Sequence, residues 1–221
     1  TTEYFDNYVK QYTDLPFLVE LTTDANGDLS PGKFIVATDL PAGLSEESTT
    51  EHATHKPALW DSVTDAPAVP NGTLGHRFSD DGEGRWNLDL GDLKPALSLL
   101  AQADGTAEIS LPRFDTASQG EIDTVKRGVP YRLLPDGRKV TTVFDLLLAE
   151  YGVGREGLPG TWPTGLDDAT SPNTPAWQER ITGVPGEAAA RIAREFAVNA
   201  RDSRGRSMII MGAGTNHWFH S

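Results

Sequence analysis

An apolar run that opens directly into a glycine turn closes the sequence. The run covers residues 208–211, and the turn that follows contains Gly212, Gly214, Asn216, His217, Trp218 and His220. In α/β proteins, a buried strand followed by glycines brings backbone amides close to a ligand. We therefore predict a buried strand at residues 207–211 and a ligand-facing turn after it.

Charge and composition limit the classes of function. The 221 residues carry a formal net charge of -13, and such an acidic surface repels phosphate backbones, which argues against nucleic-acid binding. The sequence contains no cysteine, so disulfides and cysteine-ligated zinc or iron–sulfur clusters cannot form within it. No apolar run approaches the roughly 20 residues of a membrane span, and we expect no direct membrane insertion.

The first of three predicted segments, residues 1–40, contains a helix and a β-hairpin. The amphipathic spacing of residues 2–12 is typical of a helix. Two apolar stretches, residues 17–21 and 33–37, flank a turn rich in Asp, Asn and Gly, as the strands of a hairpin do.

The second segment, residues 41–135, is predicted to be an irregular region or insertion. Proline and glycine are frequent between residues 41 and 95, where neither helical nor strand periodicity is clear. We expect five large apolar residues to anchor this region by burial, namely Trp60, Leu74, Phe78, Trp86 and Leu88. Local patterns predict a helical turn at residues 93–100 and strands at residues 108–111 and 129–134.

The third segment, residues 136–221, is predicted to be an α/β unit that ends in the glycine turn. A strand at residues 139–143 leads into a helix at residues 142–151. The apolar face of that helix is predicted to comprise Val143, Leu146, Leu147 and Tyr151.

Two further helices precede the closing strand. Thr174 and Pro175 are a typical cap and first residue for a helix at residues 174–181. The clearest helical pattern covers residues 186–199, where Glu187 and Arg191 stand one turn apart. Its apolar face is predicted to comprise Ala189, Ile192, Ala193 and Phe196.

The closing turn fits neither of two common ligand motifs. The dinucleotide fingerprint requires a glycine three residues after Gly214, where this sequence has His217. His217 and His220 have a spacing that metal ligands use, but no third ligand accompanies them. From the residues alone, ligand contacts by Asn216 and His217 and a tight turn closing on a buried Trp218 are both open.

Two stretches nevertheless resemble a known family. Thr-Pro-Ala-Trp-Gln-Glu-Arg-Ile at residues 174–181, with Arg-Ile-Ala-Arg-Glu-Phe-Ala at residues 191–197, resembles a helix pair of molybdopterin-dependent oxidoreductases. Gly-Arg-Ser-Met-Ile-Ile-Met-Gly-Ala-Gly-Thr-Asn-His-Trp-Phe-His at residues 205–220 is similar to the catalytic alpha subunit of membrane-bound respiratory nitrate reductase. Further agreement in the expected order spans nearly the whole chain, at residues 8–19, 69–75, 84–88 and 140–146.

The resemblance implies an α/β interior fragment of the multi-domain molybdopterin-oxidoreductase fold, with a long irregular insertion. The parent enzyme would reduce nitrate to nitrite at molybdenum held by two molybdopterin guanine dinucleotides, with quinol electrons arriving through iron–sulfur clusters, including a 4Fe-4S cluster. By the same resemblance Gly212, Gly214, Asn216 and His217 would contact the cofactor, and glycine permits the close backbone approach that this requires.

The resemblance also implies what lies outside these residues. The family's His/Cys motif for the iron–sulfur cluster and its aspartate ligand to molybdenum have no counterpart here, so no catalytic residue or metal ligand is assigned. We expect both sets of ligands elsewhere in the parent protein and the 221 residues alone to be inactive. The implied partners are an iron–sulfur beta subunit and a cytochrome b gamma subunit. The implied location is peripheral to the cell membrane, on the cytoplasmic face or, alternatively, facing outward.

Two other functions are alternatives. Another reductase of the same superfamily, acting on chlorate or selenate, would share these motifs. A non-catalytic acidic binding or scaffold domain would share the composition. Flanking sequence separates the classes, because an upstream His/Cys cluster motif supports the enzymes.

Overall fold

A computed structural model describes residues 2–41, 53–72, 88–118 and 121–210. The helices are α1 (Thr2–Tyr12), α2 (Val143–Glu150), α3 (Pro175–Thr182) and α4 (Gly186–Asp202). The strands are β1 (Leu18–Thr23), β2 (Leu29–Phe34), β3 (Leu59–Asp61), β4 (Ala66–Ala68), β5 (Gly105–Ser118), β6 (Glu121–Leu133) and β7 (Lys139–Thr142). Short 3-10 turns lie at Ala37–Asp39, Ala53–His55 and Leu100–Gln102.

Five strands close into a barrel. Their order is β1, β2, β5, β6, β7, and β7 pairs back onto β1. All neighbours are antiparallel except β2 and β5, which meet at the single parallel pair of Leu29 and Ile109. The predicted mixture of helices and strands is confirmed, and the described sheet is mainly antiparallel. The wider molybdopterin-oxidoreductase fold stays a prediction.

The barrel takes strands from all three predicted segments. β1 and β2 come from residues 1–40, β5 and β6 from residues 41–135, and β7 from residues 136–221. The division of the chain into those segments stays a prediction. Over the described ranges, no helix is long and apolar enough to cross a membrane.

Two apolar clusters form the core. One joins β1, β5 and β6 to α2 through Leu21, Ala107, Ile109, Leu111, Val129 and Ala149. The other packs β1 and β7 against the chain after β2, and its members include Leu18, Ile35, Trp60, Leu99 and Val140. The predicted anchoring is confirmed for Trp60 and Leu88, whose side chains are buried. The other three predicted anchors, Leu74, Phe78 and Trp86, lie outside the described residues.

The predicted amino-terminal helix and hairpin are confirmed, but the second strand lies earlier than residues 33–37. Asp24 explains the shift, because its Oδ1 accepts from the backbone N–H of Asn26 at 2.8 Å and of Asp28 at 3.0 Å. These bonds close a short turn, so β2 begins immediately after it at Leu29.

The region predicted to be irregular contains a small sheet formed by β3 and β4. The helical turn predicted at residues 93–100 is wrong, and the 3-10 turn begins only at Leu100. Two backbone N–H groups of this stretch donate to β3 instead of forming helical hydrogen bonds. The N–H of Ala96 donates to the Trp60 carbonyl and that of Lys94 to Asp61 Oδ1, both at 2.9 Å.

The long β5–β6 hairpin extends both strands predicted in that segment. β6 begins at Glu121, eight residues before the stretch predicted at 129–134. The early part of β6 is rich in charged residues, so its sequence lacks the apolar alternation that indicates a strand.

The predicted α2 helix is confirmed, but its predicted apolar face is only partly right, since Leu146 packs against the core while two other members do not. Asp145 and Ala149 are the buried residues of the helix, whereas Leu147 and Tyr151 are exposed. The Asp145 carboxylate accepts from Ser98 Oγ at 2.7 Å, from the Leu99 N–H at 2.9 Å and from the Arg155 guanidinium at 2.6 Å. These polar contacts orient the helix and override its apolar pattern.

Candidate functional site

The four predicted cofactor contacts, Gly212, Gly214, Asn216 and His217, lie outside the described residues. Their assignment stays a prediction. The structure describes the scaffold that leads to them, namely α3, α4 and the chain up to Ile210.

The predicted start of α3 is confirmed in atomic detail. Thr174 Oγ1 accepts from the Trp177 N–H at 3.1 Å, and Pro175 occupies the first helical position. The helix ends at Gly183, whose φ of +74° suits glycine. Glu179 then accepts from the Gly186 N–H at 2.8 Å, so α3 holds the first residue of α4.

The predicted last helix is also confirmed, and α4 extends to Asp202. Its predicted apolar face is largely exposed to solvent in the described structure, since Ile192 is 57% exposed and Phe196 is 37% exposed. Arg191 lies 3.5 Å from Glu195, one turn towards the carboxyl end of α4. The charges of α4 therefore lie on the surface, and its apolar residues are only partly covered.

Hydrogen bonds fix the direction of the chain after α4. Asn199 Nδ2 donates to the Arg206 carbonyl at 3.1 Å and to Ser207 Oγ at 2.7 Å. The Gly205 N–H donates to the Ala200 carbonyl at 2.6 Å. Gly205 adopts a φ of +94°, a conformation that glycine adopts readily. The chain thus leaves α4 through a bonded turn.

The strand predicted at residues 207–211 is wrong for its described part, residues 207–210, which form neither strand nor helix. Met208 is 78% exposed, Ile209 73% and Ile210 80%. A strand requires a neighbour to bond with its backbone, and no described strand lies beside this segment. The described part of the apolar run, residues 208–210, is therefore exposed to solvent where burial was expected.

A groove of about 570 Å³ lies between the end of α2 and the α3–α4 pair. Burial raises the pKa of the Glu150 carboxyl at its edge, and the positive charge of Arg127 opposes this shift. The residues that line the groove include Glu150, Tyr151, Leu166, Trp177, Ala189 and Ala193. Two residues of the predicted α4 face thus form part of its wall.

Arg127, on β6, organises this region and was not predicted from the sequence. It is 1% exposed, and its guanidinium donates to the carbonyls of Ala149 and Glu150 at 2.7 Å. A weaker bond reaches the Pro172 carbonyl at 3.4 Å. Burial lowers the pKa of Arg127. Its partners lie 22 to 45 residues away in sequence, so no local pattern could have identified it.

Nitrate reductase alpha subunits match the sequence over almost its full length. The subunit of Mycobacterium tuberculosis is 55% identical over 99% of this chain and 17% of its own length. The alpha chain of Bacillus subtilis is 44% identical over 100% of this chain and 18% of its own. For respiratory nitrate reductase 1 of Escherichia coli, the alpha chain is 39% identical over 99% of this chain and 18% of its own.

The chain is homologous to part of the nitrate reductase alpha subunit. This confirms the resemblance carried by residues 174–181 and 205–220. The chain spans less than a fifth of the length of these relatives. No family model matches the sequence.

The described part of the chain offers no ligand set for a metal. Within those ranges, no group of three or more His, Asp or Glu side chains lies close enough to hold an ion, and the sequence contains no cysteine. The described elements that precede residues 212–217 in the chain are α3, α4 and the bonded turn after α4.

Proposed function

We propose that the chain is part of the catalytic alpha subunit of a respiratory nitrate reductase. The observation that carries the proposal is 55% identity to the Mycobacterium tuberculosis subunit over 99% of the chain. The whole enzyme would reduce nitrate to nitrite, which takes up two electrons and two protons and releases water. Its electrons would come from quinol through iron–sulfur clusters, including a 4Fe-4S cluster.

In this proposal the closing turn forms one wall of the pocket for molybdenum bis(molybdopterin guanine dinucleotide). Gly212 and Gly214 would let the backbone approach the cofactor, and Asn216 would hydrogen-bond the pterin. His217 would help to set the charge near the metal. When bound, the molybdenum group supplies the oxygen-atom transfer, and its ligands would come from other parts of the subunit.

The bonded turn after α4 supports this role for the closing segment. Because Asn199 holds both Arg206 and Ser207, hydrogen bonds position the chain up to Ser207, five residues before Gly212. A cofactor wall requires such positioning, since groups that contact a ligand act only when they are held in place.

The proposed enzyme would act with an iron–sulfur beta subunit and a cytochrome b gamma subunit. It would lie peripheral to the cell membrane, on the cytoplasmic face. The relatives are named alpha subunits or alpha chains, which supports an assembly of several subunits.

The test is nitrite formation by the full-length alpha subunit, purified with its partner subunits and supplied with a reduced quinol. We expect nitrate to be reduced with a higher kcat/KM than chlorate or selenate. A loaded complex that forms no nitrite contradicts the proposal. A complex that prefers chlorate or selenate assigns the protein to another reductase of the superfamily.

The 221-residue chain serves as the matched comparison. We expect elemental analysis to find no stoichiometric molybdenum in it and the nitrite assay to detect no turnover. Stoichiometric molybdenum in this chain would show that its own residues suffice to hold the cofactor.

A further inference from the structure

The end of α4 and the turn after it carry positive charge in an acidic chain. Residues 191–206 contain five arginines and two acidic residues, which gives a net charge of +3, whereas the other 205 residues carry -16. All five arginines are exposed. We define the basic turn as residues 201–206. Charge of one sign that is concentrated on one surface favours a partner of the opposite sign there.

Arg204, in the basic turn, has a backbone conformation that arginine rarely adopts. Its φ is +56°, and the other described non-glycine residues with positive φ are Asp65 and Asn173. Aspartate and asparagine tolerate this left-handed conformation, because their short polar side chains form local hydrogen bonds. Arg204 is therefore the exception among the three.

The side chains at the other two positions bond within the chain. Asp65 accepts from Trp60 Nε1 at 3.0 Å, and the side-chain amide of Asn173 donates to the Glu150 carbonyl. The Arg204 guanidinium, by contrast, is exposed and forms no hydrogen bond or ion pair with the described residues. A strained residue whose side chain has no contact within the described chain points to a contact outside it.

Hydrogen bonds fix the backbone of the basic turn. Ser203 Oγ donates to the Asn199 carbonyl at 2.5 Å and accepts from the Arg206 N–H at 3.1 Å. The Arg206 guanidinium is also exposed and without a partner among the described residues. Because the backbone is already held, a partner that binds Arg204 and Arg206 has to order only their side chains.

The charge of the rest of the chain limits the kind of anion that the basic turn can bind. Guanidinium groups bind both carboxylates and phosphates through paired N–H groups. An anionic membrane or a nucleic acid would extend beyond the turn and be repelled by the acidic remainder of the molecule. Charges act over a Debye length of about 8 Å at physiological ionic strength, so a short acidic segment avoids most of this repulsion.

We infer that the basic turn binds a short acidic segment of a partner protein, and that Arg204 and Arg206 pair with its Asp or Glu carboxylates. This binding is separate from nitrate reduction, and neither depends on the other. It accounts for an arginine at residue 204, where asparagine or glycine would suit the backbone better.

A labelled hexaglutamate peptide tests this binding by fluorescence anisotropy on the full-length alpha subunit in its complex. We expect Arg204→Asn to weaken binding at least about threefold, and Arg204→Asn combined with Arg206→Gln to weaken it at least about tenfold. Lys33→Gln is the matched control, because it removes one positive charge from an exposed side chain of β2 and leaves binding unchanged. Wild-type affinity in the double variant overturns the inference.

The melting temperature of Arg204→Asn separates a contact with a partner from a role in folding. We expect its Tm to be at least as high as that of the wild type, because asparagine tolerates a φ of +56°. Weaker peptide binding at an unchanged or higher Tm supports the inference. A lower Tm would show that the Arg204 side chain stabilises the fold, and it would overturn the inference.

Two further measurements decide the other outcomes. Sedimentation with vesicles of equal parts phosphatidylglycerol and phosphatidylcholine should show no binding, and binding to these vesicles but not to the peptide overturns the inference. If a partner subunit already fills the turn, the peptide does not bind, and the double variant instead loses assembled complex at least about fivefold. Absence of peptide binding together with unchanged assembly of the double variant overturns the inference.

Discussion

The barrel and the carboxyl-terminal helices differ in how their apolar residues are covered. In the barrel, Ile109, Val129 and Val140 are fully buried, and every strand is paired on both sides. On α4, Ile192 is mostly exposed, although it belongs to an apolar face as regular as any in the sequence. The barrel completes its own core, whereas α4 carries a face that the described chain does not complete.

The largest expected effect is a difference in the free energy of unfolding between a substitution in the barrel and one on α4. Ile109→Ala should lower the free energy of unfolding by about 4 kcal/mol, because it leaves a cavity in the barrel core. Ile192→Ala should change it by less than about 0.5 kcal/mol, because the side chain is 57% exposed and alanine favours helix. Urea denaturation of the 221-residue chain measures both.

Similar decreases in the free energy of unfolding for Ile109→Ala and Ile192→Ala would contradict this difference between the barrel and α4. They would show that the described chain already buries the face of α4.

Alanine substitution of two glycines tests the same difference between the barrel and the carboxyl-terminal helices. Gly160 has a φ of +103°, and a Cβ there would lie 2.7 Å from the Arg127 Cα. Gly160→Ala should therefore cost about 3 kcal/mol, from backbone strain and overlap with β6. Gly183, between α3 and α4, has a φ of +74° but open space around it, so Gly183→Ala should cost only about 1 kcal/mol.

Thermal unfolding monitored by circular dichroism distinguishes the two glycine variants. A Gly160→Ala variant no less stable than Gly183→Ala would contradict the close packing of residue 160 against Arg127. It would also weaken the view that the barrel is the tightly packed half of the molecule.

Local features of the fold could be predicted because their causes are local. The Thr174 cap, the Asp24 turn and the helical period of residues 186–199 depend on neighbours within a few residues. The corresponding elements were confirmed with small shifts at their ends.

The features that were missed depend on distant partners. Asp145 bonds to Leu99, 46 residues away, and this contact decides which face of α2 is buried. The barrel closes through β1 and β7, whose pairing no local pattern specifies. For residues 207–210 the sequence predicted burial, but burial requires a covering surface that the described chain does not supply.

The candidate site likewise contains residues that the sequence suggested and one, Arg127, that it did not. Gly212, Gly214, Asn216 and His217 were selected by resemblance, and their contact with a cofactor stays a prediction. Arg127, which holds the end of α2 behind the α3–α4 groove, could not be identified from the sequence because its partners are carbonyl groups of distant residues.

The central claim is that the barrel provides stability while the closing turn serves the cofactor. Its most direct test is the kcat of nitrate reduction by an Asn216→Ala variant of the full-length complex, with molybdenum content measured on the same sample. An exposed turn residue, Asn26, provides the control Asn26→Ala. We predict that Asn216→Ala lowers kcat at least about tenfold while the assembled complex is retained, and that Asn26→Ala matches wild type. Wild-type kcat in the Asn216→Ala complex would contradict the account.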